Sequence, residues 1–353
     1  MDWISRRETI LTRSQHSCAP AEVTVAIHQL PLRCYFAAEP TPSLKSPDEK
    51  TALCLACDDF YGETTSEVRA AKVEIVRLLL ASAAPDQEYD AAAVKAMINQ
   101  FHEGLEVLLS ARRESGERIV DVNHFVPYDG NPRPTFLQYT AMMSFFPDPR
   151  LWLSILLRHG ADPNKRGEDG RNPLIEICSI ECDYELHRFE EAAQCLLAGG
   201  ADPNVTDNDG RSAVHHAAAN ASGIGLAPIL KHGCDVNARS NKGWTALQYA
   251  VEAKNRRTAE MLLRHAADIN AQDPSTGSTA LHIAASDGSP DSKMLHLLCS
   301  FGANVETRDS NGQTPIELLE RNTDWKRRPS NKAMIEQMRQ GSLNTTDAGS
   351  MAD

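Results

Sequence analysis

No run in this 353-residue chain approaches the roughly 20 consecutive apolar residues that a membrane-crossing helix requires, so no helical membrane anchor is expected. The N-terminus lacks a charged segment followed by an apolar one, and export is not expected either. Arg6, Arg7 and Arg13 hint at a mitochondrial presequence, but Asp2 and Glu8 break its acid-poor pattern. Positive charge is in deficit: 36 Lys and Arg stand against 48 Asp and Glu, a formal charge of -12. Neutralising phosphates needs a concentrated basic face, so nucleic acid is not an expected partner, and the acidity serves solubility. The nine cysteines show no disulfide spacing. Cys54, Cys178 and Cys195 occupy helix positions that want small or apolar residues, which reads as reduced core thiols of an intracellular protein.

Chemistry-bearing motifs are missing as well. There is no phosphate-binding glycine loop and no Gly-x-Ser-x-Gly elbow, and His102-Glu103 is not followed by a second His at metal-binding spacing. Cys54-x-x-Cys57, and Cys178-x-x-x-Cys182 with His187 nearby, lack the second pair that makes a zinc site. Asp207-x-Asp209-Gly210 imitates part of a calcium loop, yet Val205 stands where the first ligand belongs and His216 where the bidentate Glu belongs. No catalytic residue, metal or cofactor is assigned, and the expectation is a non-enzymatic protein.

What the chain does have is a phrase repeated with small changes. Turn glycines fall at Gly170, Gly210, Gly243, Gly277 and Gly312, separated by 40, 33, 34 and 35 residues. Shortly after each comes Asn172-Pro173-Leu174, Ser212-Ala213-Val214, Thr245-Ala246-Leu247, Thr279-Ala280-Leu281 or Thr314-Pro315-Ile316. Aliphatic pairs follow at Leu196-Leu197, Ile229-Leu230, Leu262-Leu263 and Leu297-Leu298. The units close on Gly160-Ala161-Asp162-Pro163-Asn164 and its relatives at Gly200, Gly233, Ala266 and Gly302.

Each part has a physical reason. A Ser or Thr accepts a backbone N–H at a helix start, and Pro is tolerated at the next position because its missing donor would be unpaired there anyway. Alanines such as Ala217 to Ala219 let an inner helix approach its neighbours, while the aliphatic pair gives the outer helix apolar area. Glycine closes that helix in the left-handed region, and Asp-x-Asn turns the chain into a hairpin-like loop. No such unit can bury its apolar face alone, so units must stack. The phrase resembles the ankyrin repeat, whose Thr-Pro-Leu-His-x-Ala signature is nearly spelled by Thr279 to Ala284.

The resemblance implies an all-α solenoid of about eight helix-turn-helix units with β-hairpin-like loops. Fainter copies precede the clear ones. Thr51 to Ala56 and Val73 to Leu80 form a copy with an insert around Tyr61 to Arg69. Residues 90–111 form a degenerate copy with Asp90 as a candidate cap, and Asp121 to Leu157 a further copy with a long turn at Tyr128 to Pro134. Asn331 to Arg339 is expected as the displaced second helix of a final unit. The expected organisation is an extension over 1–45, repeats over 46–340 (clear over 160–320, degenerate over 46–159) and a disordered tail over 341–353. Ser179 to Glu190 reads as a further insert.

The resemblance also implies where partners are gripped: the hairpin tips and the inward, concave face of the first helices. On this template the candidates are Arg166, Arg171, Asn208, Arg211, Arg239, Lys242, Trp244 and Arg308, a basic ladder with an exposed tryptophan in an acidic protein. Arg and Trp are enriched at interface hot spots, so the ladder suits an acidic segment of another protein. The competing reading is that Asp169, Asp209 and Asp287 neutralise the ladder in place. The expected role is an intracellular interaction scaffold or adaptor, monomeric and cytoplasmic, with Lys326-Arg327-Arg328 leaving a nuclear address open. The alternative is a regulatory or accessory subunit docking through residues 1–45.

Overall fold

The computed structural model describes residues 51–57, 66–81, 86–113, 115–126, 134–142, 148–181 and 186–340. The expected extension over 1–45, the tail over 341–353 and the centres of the three inserts lie outside these. Among the described residues there are seventeen helices, and β structure is limited to isolated bridges, Arg112 with Arg118, Phe125 with Thr135 and Thr206 with Ser212. The expected all-α repeat fold with hairpin-like loops is what the chain forms.

The described residues pack as two compact units, one within 51–139 and 154–161, the other within 140–153 and 162–340. The first holds α1 (Ala52–Ala56), α2 (Ser66–Ala81), α3 (Asp86–Ile98) and α4 (His102–Ser110). Thr51 starts α1 by accepting the Cys54 N–H at 3.3 Å. Helices α1 and α3 pack on each other, and α2 and α4 likewise, burying Leu53, Ile75, Val76, Leu105 and Leu108. One expectation fails here. Asp90 does not cap α3, which begins four residues earlier; it lies within the helix, 3.7 Å from His124.

Helices α5 (Phe136–Met142) and α6 (Pro149–Arg158) each carry residues of both units. The second unit continues with α7 (Pro173–Cys178), α8 (Leu186–Ala198), α9 (Ala213–Ala219), α10 (Leu226–Lys231), α11 (Ala246–Glu252), α12 (Arg256–Arg264), α13 (Ala280–Ser286) and α14 (Ser292–Ser300). It ends in α15 (Pro315–Arg321), α16 (Thr323–Lys326) and α17 (Pro329–Arg339). An inner row α7, α9, α11, α13 and α15 packs neighbour on neighbour, each of the first four against its own outer helix. Helix α8 starts at Leu186, so the last residues of the Ser179 to Glu190 insert form a helical turn rather than loop.

The division of labour follows residue size. Ala217, Ala218 and Ala250 are fully buried and let the inner helices close up. Leu196, Leu262 and Leu298 on the outer helices are equally buried, and each contributes roughly 1.5–3 kcal/mol of apolar transfer. The starts are set by capping boxes, Ser212 with His215, Thr245 with Gln248, Thr279 with His282 and Thr314 with Glu317. Helix α17 is the expected displaced final helix. It lies on α14 and α15, with Ile335 and Met338 buried.

Candidate protein-binding face

The Asp-x-Asn phrase is a stitch between repeats. Asn164 donates Nδ2 to the Gly200 carbonyl at 2.9 Å and accepts the Asp202 N–H at 2.7 Å. Asn237 does the same to Ala266 and Asp268, at 3.3 and 2.7 Å. Asn204 and Asn270 each accept the corresponding N–H of the following repeat at 2.8 Å. Within each phrase the Asp carboxylate accepts the N–H two residues on, as Asp202 does from Asn204 at 2.9 Å. The loops are therefore held at both ends of their own turn and to their neighbours.

The histidine position supplies a second stitch. His282 Nε2–H donates to the Gln313 carbonyl of the next loop at 3.1 Å, while Nδ1 accepts from the Thr279 N–H at 3.2 Å. His215 repeats this with Ala238 and Ser212, at 3.0 and 3.1 Å. Gln248 replaces the ring with an amide, accepting from Thr245 at 2.9 Å and donating to Ser278 at 3.0 Å. Burial pushes both histidines below their ordinary value, as a neutral ring that donates at one nitrogen and accepts at the other requires.

Against this scaffold the ladder divides. Arg166 donates Nε to its own turn carbonyl at Gly170, 2.8 Å away. Arg239 donates to Gly243 at 2.7 Å and to Gln272 of the next loop at 2.9 Å. Arg308 donates to Gly312 and pairs with Glu317 at 3.5 Å. Arg112 closes its turn on Gly116 in the same way at 3.0 Å. An arginine four residues before the turn glycine is thus a clamp on the hairpin. Arg171 lies between Asp169 and Glu176, at 3.3 and 3.6 Å. Asn208 bonds the preceding hairpin, its N–H to Asp169 and its Nδ2 to Glu168, both at 3.2 Å.

Two basic residues of the ladder are not spent this way. Lys242 is exposed at a hairpin tip and makes no ion pair among the described residues. Arg211 is half-buried, its guanidinium 4.7 Å from the centre of the Tyr249 ring, and its buried Nε has no hydrogen-bond partner. Trp244 leans on the same ring at 5.3 Å, and His215 meets it edge-on at 5.8 Å. Trp244 was expected to be exposed and is half-buried instead, because Tyr249 covers one side of it. Burial would raise the Asp273 carboxyl, but hydrogen bonds from Thr276, Ser275 and Trp244 outweigh it and hold it below its ordinary value. Of the expected neutralising acids, Asp169 pairs with Arg171 as anticipated, but Asp287 pairs with Lys254 at 2.5 Å.

One row of residues escaped the sequence reading. The position after the histidine holds Glu176, His216, Tyr249, Ile283 and Leu318 in successive repeats. The first three are buried, the last two half-exposed, so the floor under the ladder grades from ionisable through aromatic to apolar. The signal was present as a fixed offset from each Ser, Thr or Asn cap. His216 Nε2 lies 2.7 Å from the Asp207 carboxylate and its Nδ1 3.1 Å from the Ser179 hydroxyl, which also reaches the Ile175 carbonyl at 2.8 Å. One hydroxyl proton serves one acceptor: it goes to Nδ1 when the ring is neutral and to Ile175 when the ring is charged.

Among the described residues no helix is long and apolar enough to cross a membrane, and no group of three His, Cys, Asp or Glu side chains is placed to hold a metal ion. In comparisons with known proteins, a family model of ankyrin repeats matches residues 185–273 in three copies, and a single ankyrin-repeat model matches residues 276–310. No curated protein matches the chain.

Proposed function

Because the chain is an ankyrin repeat protein, we propose that it is a non-enzymatic interaction scaffold or adaptor that grips an acidic segment of a partner along its hairpin and inner-helix face. Ankyrin repeats generally mediate protein–protein interaction, and a frame of stacked units carries its specificity in the side chains mounted on it. The observation that carries this reading is Arg211. Its guanidinium lies over the Tyr249 ring and its buried Nε makes no hydrogen bond, while most of its fellows are committed to carbonyls or acids nearby. A stacked guanidinium has already lost much of its conformational freedom, so a carboxylate meets a donor fork at little further entropic cost. Trp244, against the same ring, supplies apolar contact, and Lys242 at the tip of its hairpin supplies charge. Arg166, Arg171, Asn208, Arg239 and Arg308 contribute to the field and to the rigidity of the hairpins more than to direct contact.

The test is affinity capture with the whole chain, comparing the natural sequence with a variant carrying Arg211→Gln and Lys242→Glu. Specific partners should fall at least fivefold in the variant, and more at low salt than at high, with the melting temperature within a degree or two. Equal capture at all salt concentrations would remove the ladder from the interface.

A further inference from the structure

At the C-terminal ends of α11 and α13 the inner-helix face opens into a cavity of about 310 Å³, at the small end of the range for ligand pockets. Its apolar lining comes from Val251, Ile283 and Met294; its charged lining from Glu252, Asp287 and Asp291. The C-terminal ends of α11 and α13 add partial negative charge, while Asp291 caps the partially positive N-terminus of α14 on the same cavity. At α13 the C-terminal end is open, because no backbone N–H returns to its last turn. The cavity already holds one cation. Lys254, in the left-handed conformation with φ 56°, reaches over from the loop after α11 and places Nζ 2.5 Å from Asp287. Three carboxylates thus face one ammonium: it pairs with Asp287 and its charge also acts on Asp291, which caps α14 through the Lys293 N–H, and on Glu252.

We infer that this cavity receives the basic side chain, arginine or lysine, of an extended segment of a partner protein, with Lys254 as the internal cation that such a side chain displaces from Asp287 or sits beside. An apolar wall below a carboxylate rim fits that class of side chain: the methylene stem lies along Ile283 and Met294 while the charged head meets the acids. A carboxylate or an aliphatic side chain would desolvate three acids that share a single ammonium as counter-charge. The inference rests on the reading of this face as a protein-binding surface and adds a second, opposite charge preference to it. A partner segment would then present acid toward Arg211 and a base toward Glu252.

The test is peptide display against the immobilised whole chain, followed by titration of synthetic peptides. The selected sequences should share one fixed Arg or Lys, and replacing that residue by its neutral counterpart, citrulline for Arg, should weaken binding at least tenfold. The Glu252→Gln, Asp291→Asn variant, in which Asn still caps α14, should lose about as much and show no further loss with the neutral peptide. Lys254→Ala should tighten the basic peptide a few-fold, since the internal competitor is gone. Selected peptides with no basic position, or a variant that discriminates as the natural chain does, would overturn the pocket assignment. If the Arg211→Gln, Lys242→Glu variant then lost those peptides, the hairpin reading would stand without it. Recovery of no peptide at all would overturn both.

Discussion

Glu176 lies 3.6 Å from Arg171, yet its carboxyl is pushed up to about 7, because burial costs the charged form more than the guanidinium returns. The folded value exceeds the ordinary 4.5, so the folded chain holds more protons between about 4.5 and about 7. The stability this group contributes is present at the acid end of that window and is lost as pH rises through it. Replacing Glu176 by Gln removes the loss. The variant should gain on the order of 2 kcal/mol relative to the natural chain at pH 8 compared with pH 5, read by urea unfolding at both values. An equal difference at the two pH values would mean that the carboxyl is ionised throughout. His216 has the opposite sign: burial holds it below 6.5, so its contribution is present above that value and lost as pH falls below it. At this scale residue identity was legible and environment was not. The sequence places Trp244 and Arg211 beside turn glycines, but that Arg211 meets Tyr249, well along the chain and in the following repeat, depends on how one repeat rests on the next.

A helix end shows the cost of one methyl group. Ala266 occupies the closing position held by glycine at Gly200, Gly233 and Gly302 and adopts φ 63° as they adopt positive values. An L-residue with a Cβ pays about 1 kcal/mol for that region, so Ala266→Gly should raise stability by roughly 0.5–1 kcal/mol in thermal unfolding. The turn glycines differ. A Cβ at Gly210 would lie 2.3 Å from Asn241 Oδ1 and 2.8 Å from its backbone N, so Gly210→Ala should cost more than Gly233→Ala, where nothing lies within 4 Å. Equal costs in the two variants would mean that the hairpins can part without penalty. These elements were the most legible part of the chain, since caps, prolines and alanine runs act within a few residues of one another. The start of α3 was missed because Asp90 is a good cap residue in a stretch with no competing signal, and helical propensity carried the helix past it.

Within the second unit, stability should be close to a sum of nearest-neighbour terms, because each inner helix meets its neighbours in the row and each Asn spans one junction. Asn237→Ala removes both bonds of one stitch, to Ala266 and Asp268, while leaving every apolar contact in place. It should cost about 1–2 kcal/mol and broaden the denaturant transition, as the units on either side begin to unfold separately. A sharp transition shifted in midpoint alone would show that the apolar contacts hold the row together unaided. The architecture was legible in the sequence because it repeats, and every copy corrects the reading of the last. The binding preference was less so. The ladder looked uniform on the template, and only the hydrogen bonds separate arginines that clamp a turn from the one that remains available.

A stack of like units has nothing in its own geometry that says where to stop. Here the last inner helix meets α16 and α17 instead of a further repeat, with Trp325 donating its indole N–H to the Pro290 carbonyl at 2.8 Å and Asn331 donating to the Trp325 carbonyl at 2.9 Å. Polar side chains of α17, from Lys332 to Gln340, then face water where the next apolar surface would have been offered. That tryptophan acts as a bookend: it closes this end of the row, and on the proposed reading of the face it bounds at that end the segment that could be gripped.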